Sequence, residues 1–182
     1  MDESKIIAAI ETIEGSVSQY VEIMQMFSNL NVAEDDYFKT KFNGYYRIRQ
    51  RSKEWYQSYY SYMESHKGLI VSFRDVLSYM KMHTNRYEPS FSSKLLATHN
   101  PNMPIWDTQV LRSLKMEAPN SYSKNRLEDS VALYNRICAW YSEQMNTSLC
   151  SFIINKFNER YTNYNSVSDV KKIDFVLWRL GT

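Results

Sequence analysis

The chain is poor in the residues that punctuate β-architectures: 4 glycines and 4 prolines stand among 182 residues. That is too few for the closely spaced turns of an all-β fold, so helices are favoured. Its two cysteines, Cys138 and Cys150, fall inside helix-like patterns and have no partner at CxxC or Cys/His ligand spacing. Neither a disulfide framework nor a metal cluster is expected, no cofactor is implied, and a reducing compartment fits. Apolar runs are only a few residues long, and Met1-Asp2-Glu3-Ser4 lacks a charged region leading into an apolar stretch. The expectation is a cytoplasmic protein with no membrane partner. Charge of one sign is also scarce, the formal net charge being +2. Any nucleic-acid footprint must therefore be local.

What is present is helical periodicity. Ile6, Ile10, Ile13, Val17, Tyr20, Met24 and Phe27 recur at steps of three and four, which predicts one long helix running through Gly15. Asp35-Asp36, Ser52 and Ser72 each precede an apolar-periodic segment as caps, and Ser72 with Asp75 has the spacing of a capping box. The last third repeats the pattern three times, around Leu127 to Met145, Leu149 to Phe157 and Val170 to Leu180. With no repeat, low-complexity segment or linker, the expectation is a single all-α domain spanning 1–182, a bundle of eight or nine helices. The 15 tyrosines, many between Tyr37 and Tyr62, supply stacking surface or a wet-edged core.

Three features rise above packing. Lys39, Lys41, Arg47, Arg49, Arg51 and Lys53 form an acid-free stretch interleaved with Phe42, Tyr45 and Tyr46. Cations for phosphates and rings for bases suit nucleic acid, although a solvated face balanced by acids elsewhere has the same appearance. Pro89-Ser90-Phe91-Ser92-Ser93-Lys94 reads as a proline-led turn into a helix over about Phe91 to Thr98. Ser90 would be its cap, the N–H groups of Phe91 to Ser93 would face an anion, and Lys94 would stand one turn in. The alternative for Lys94 is a snorkelling surface lysine. Finally, Pro104-Ile105-Trp106-Asp107 opens a helix with Val110 and Leu111, where the dipole favours a charged carboxylate, or where Asp107 is simply a cap. The motif-bearing centre is 83–115.

Together the second and third features resemble the helix-hairpin-helix DNA glycosylases, closest to their 8-oxoguanine glycosylase-like branch. In that family a Pro-Gly-x-Gly-x-Lys hairpin introduces the catalytic lysine, and a Pro-x-Asp-x-His-Val-like segment brings the catalytic aspartate. Pro89 matches the hairpin proline, Ser90 and Ser92 take the glycine positions, and Lys94 falls on the lysine. Pro104, Asp107 and Val110 match the second segment with one extra residue, and Gln109 stands where histidine is frequent. The likeness covers about the central third of the chain, and the iron–sulfur cysteines of some relatives are missing.

The resemblance implies a DNA glycosylase with associated lyase activity, acting on an oxidised or modified base that is flipped from duplex DNA. Lys94 would attack the sugar C1′ and Asp107 would assist, with partial burial or Arg86 and Arg112 lowering the amine pKa. Ser90, Ser92, Ser93, Arg47, Arg49 and Arg51 would bind DNA, while Phe91, Trp106 or Tyr87, and Gln109, would line the base pocket. Two other functions fit the same fold: a non-catalytic nucleic-acid binder and a helical protein-interaction module.

Overall fold

The computed structural model describes residues 2–182, and they form ten helices and no strand. These are α1 (Glu3–Glu11), α2 (Glu14–Asn29), α3 (Asp36–Tyr46), α4 (Lys53–Ser65), α5 (Phe73–Thr84), α6 (Pro89–His99), α7 (Thr108–Leu114), α8 (Arg126–Gln144), α9 (Ser148–Arg160) and α10 (Asp169–Leu180). Ten replaces the expected eight or nine, in part because the single long N-terminal helix is two. The break falls at Thr12-Ile13, before Gly15. Thr12 turns both its backbone N–H and its hydroxyl back onto the Ala9 carbonyl, at 3.2 and 2.9 Å. A hydroxyl bonding its own preceding turn offers the backbone an alternative to the helical ladder, and here the ladder stops.

Capping follows the sequence closely. Asp35 accepts from the Phe38 N–H at 2.6 Å and Ser52 from Trp55 at 3.2 Å. Ser72 and Asp75 form the reciprocal box, satisfying two helix-end donors at once. Asn43-Gly44, readable as a turn or a helix end, lies in the last turn of α3, which ends on Arg47 in the left-handed region.

Two apolar clusters make up the core. One gathers α1, α8, α9 and α10 around Ile6, Ile137, Ile153 and Ile173. The other gathers α3 and α4 around Phe38, Phe42, Tyr59 and Met63. Helix α6 lies between them, with Leu96 in the first and Leu95 and Ala97 in the second. Every residue from Ser92 to Thr98 is consequently buried, as happens when a helix has neighbours on all sides. Tyr59 on α4 fixes it further by donating to the Phe91 carbonyl at 2.9 Å. Lys94 therefore sits on the central helix of the molecule.

Candidate active site

The hairpin that delivers Lys94 is built differently from the expectation. Helix α5 ends on Asn85, whose φ of 54° supplies the left-handed turn, a conformation asparagine tolerates. Arg86 to Glu88 connect, and Pro89 occupies the first turn of α6, where its missing N–H costs nothing. Ser90 and Ser92 thus lie within the helix, and Ser90 is not its cap; Glu88 holds that position without a side-chain cap bond. Neither serine needs the positive φ that glycine would provide. The outward-facing role foreseen for Ser92 and Ser93 is corrected as well, because both are buried between the two clusters. The Ser93 hydroxyl instead accepts the Trp106 N–H at 2.9 Å, tying α6 to the segment that carries Asp107.

Asp107 is extended and caps α7, its Oδ1 accepting from the Gln109 N–H at 3.0 Å. That bond leaves Oδ2 free to reach the Lys94 Nζ, 3.3 Å away. The amine also lies 3.4 Å from the Tyr46 carbonyl oxygen and 5.3 Å from the centre of the Phe91 ring. Lys94 is only 6% exposed, so it is not a snorkelling surface lysine. Burial holds its pKa below the usual lysine value; Asp107 opposes that shift and Arg47 adds to it. Arg86 and Arg112, foreseen in that role, are engaged elsewhere. Arg86 approaches Glu88 at 4.0 Å, and Arg112 donates to Gln109 at 3.0 Å and to the Gly181 carbonyl at 2.6 Å.

Lys94 and Asp107 open onto one cavity of about 440 Å³, within the range of about 300–1,000 Å³ typical of small-molecule sites. Phe91, Gln109 and Arg47 line it with them. Trp106 does not: it packs in the first core cluster, its ring stacked toward Phe73 at 6.2 Å. Tyr87 is likewise outside, beneath Lys81 and Arg126. The wall also takes Tyr45 and Tyr46 of α3, the rings of the basic stretch, and Lys171, Asp174, Phe175 and Trp178 of α10, which were not singled out in the sequence.

Helix α10 had the appearance of a packing helix, yet Val170 to Leu177 are all buried, charged residues included. Lys171 and Asp174 approach to 3.9 Å, and Tyr141 of α8 donates a hydrogen bond to Asp174. Burial pushes the Asp174 carboxyl up to about 6, against the lowering effects of Lys171, Tyr141 and the Ile105 N–H. Burial likewise holds the Lys171 amine low. The legible signal was three charges inside an otherwise apolar run, Val170-Lys171-Lys172-Ile173-Asp174-Phe175-Val176-Leu177. Such residues are almost never buried unless paired.

The basic stretch divides. Lys39 pairs with Asp36 at 2.9 Å, Lys41 with Glu22 at 3.1 Å and Arg51 with Glu88 at 3.3 Å, which is the balanced face that was the alternative reading. Arg47 and Arg49 are exposed, and the Arg47 guanidinium lies over the Trp178 ring, 5.4 Å from its centre, at the cavity wall. Arg49, Arg51, Ser90, Ser92 and Ser93 do not line the cavity.

Among the described residues there is no group of three or more His, Cys, Asp or Glu side chains able to hold a metal ion, and no helix long and apolar enough to cross a membrane. No family model matches the chain, and neither does any curated protein or solved structure.

Proposed function

We propose that the chain is a DNA glycosylase with associated lyase activity, removing an oxidised or otherwise modified base. One observation carries this reading: a buried amine with a depressed pKa lies 3.3 Å from a carboxylate, and both line a hollow large enough for a nucleobase. A lysine must be neutral to attack, and burial favours that form. With a nucleotide flipped into the cavity, the Lys94 nitrogen forms a bond to C1′ as the glycosidic bond breaks, and the bonding pair leaves with the base. The new C1′ ammonium gives its proton to the Asp107 carboxylate. Asp107 passes that proton to O4′ as the C1′–O4′ bond breaks and the nitrogen lone pair closes the C=N bond, giving an imine between Lys94 and the DNA; loss of a C2′ proton to water with departure of the 3′ phosphate then cleaves the strand. Asp107 also faces the positive charge that develops on the sugar, so it contributes in both steps. Phe91, Tyr45 and Trp178 offer apolar surface to a planar base.

Arg47, at the cavity wall, and Arg49, two residues on, are exposed and have no acidic partner among the described residues, and they are assigned here to the DNA backbone. With so few phosphate contacts, binding should weaken only modestly with salt.

Incubation with an abasic-site duplex and borohydride tests the chemistry. The wild-type chain is expected to form a covalent adduct, Lys94→Ala to form none, and Asp107→Asn to form it about a hundredfold or more slowly. An adduct of undiminished yield in Lys94→Ala would remove the mechanism. Salt-dependent retardation of the duplex without any adduct would leave a non-catalytic nucleic-acid binder.

A further inference from the structure

The cavity holds a second amine and acid that the excision chemistry does not use. The Lys171 Nζ makes no hydrogen bond among the described residues, its nearest carboxylate oxygen being Asp174 Oδ2 at 3.9 Å. The ammonium is held instead over the Tyr20 and Phe175 rings, 5.0 and 4.9 Å from their centres. Asp174 is 3% exposed. Its Oδ1 accepts from Tyr141, while its buried Oδ2 has no hydrogen-bond partner. A buried oxygen left without a donor carries a desolvation cost that a bound donor would relieve. The two groups are side by side on α10, and both line the hollow that Lys94 and Asp107 enter.

We infer that Lys171 and Asp174 form a reading pair for the ligand of this cavity, selecting a heterocycle that presents a carbonyl oxygen next to a ring N–H. Lys171 donates to the carbonyl and Asp174 accepts from the N–H. A lactam edge supplies those two groups in adjacent positions on one plane, and the pair supplies their complements. Burial pushes the Asp174 carboxyl up to about 6; of the groups facing it, Lys171 on its own helix, Tyr141 of α8 and the Ile105 N–H oppose that rise and Asp107 adds to it, which leaves the carboxyl an acceptor at neutral pH. Tyr20 of α2 and Tyr45 and Tyr46 of α3 stay protonated, their phenols pushed up by burial first and by neighbouring groups, Asp174 among them, second.

The inference rests on the excision reading only for the source of its ligand, so its test is a binding measurement. The full chain is titrated with inosine and with uridine, each against its counterpart methylated at the lactam nitrogen, following the Trp178 indole N–H resonance identified through Trp178→Phe. Inosine or uridine is expected to shift that resonance, with the methylated counterpart binding about tenfold or more weakly. Asp174→Leu should abolish the preference, and Lys171→Met should weaken both members of each pair alike. The methylated pairs are compared on the wild-type chain, so a variant that fails to fold leaves the test intact. Equal binding of both members of each pair, binding of neither, or a preference that survives Asp174→Leu overturns the proposal. An abasic adduct without this preference would spare Lys94 and remove the reading pair; the preference without an adduct would do the reverse.

Discussion

Asp174 shows how one buried carboxyl can tie stability to pH. Its ordinary value of 3.8 is raised to about 6 in the folded chain, chiefly by burial. Between those values the folded state binds more protons than the unfolded state, so stability falls as pH rises. The stabilisation is fully present below about pH 3.8 and is gone above about pH 6. Its size is on the order of 3 kcal/mol. Denaturant unfolding at a series of pH values should show the wild-type chain losing stability relative to Asp174→Asn across this window, with the difference flat above it. A difference independent of pH would mean that the carboxyl does not titrate there. The meeting of Lys94 and Asp107 was readable in the sequence because both belong to short segments set off by prolines, Lys94 one turn into α6 and Asp107 at the start of α7. Asp174 was harder to read: the charges inside the apolar run of α10 were its one signal, its partner Tyr141 comes from a separate pattern, and no periodicity reports which faces of α8 and α10 meet.

At the level of elements, helix starts were the best-defined feature of the sequence, since a short oxygen-bearing side chain before an apolar stripe has one dominant use. The helix carrying Lys94 is one of three exceptions, with α2 and α8. It starts with Pro89 and no side-chain cap, so its position depends on tertiary contacts such as Tyr59 to Phe91 and Ser93 to Trp106. That dependence is why its boundaries and hairpin could not be placed from Ser90 and Ser92. Ser168 performs two tasks at the start of α10. Its Oγ accepts from the Lys171 N–H at 3.2 Å and donates to the Pro101 carbonyl at 2.5 Å. It thereby holds the first turn of α10 against the loop leading to Asp107. Ser168→Ala should cost about 1–2 kcal/mol, with amide exchange accelerating in the first turn of α10 and in residues 100–104 together. Acceleration confined to α10 would mean that the hydroxyl serves as a cap alone.

For the molecule as a whole, placing an ion pair on the central helix is a poor way to gain stability. Desolvating Lys94 and Asp107 opposes their attraction, and replacing a buried pair by uncharged groups of similar size is often neutral or stabilising. Breaking the pair from one side costs about 3–5 kcal/mol, because it strands the remaining charge. Lys94→Met with Asp107→Asn separates the two possibilities. Methionine fills the lysine's space between Tyr46 and Phe91, and asparagine can still cap α7. A pair kept for chemistry predicts a double variant as stable as the wild type or more so, with no abasic adduct, while Asp107→Ala alone is markedly destabilised. The Tm of all three, measured alongside borohydride trapping, decides the matter. If the double variant instead lost several kcal/mol, the pair would be holding α6 to α7 as structure, and the cavity beside it would lose its claim to be an active site.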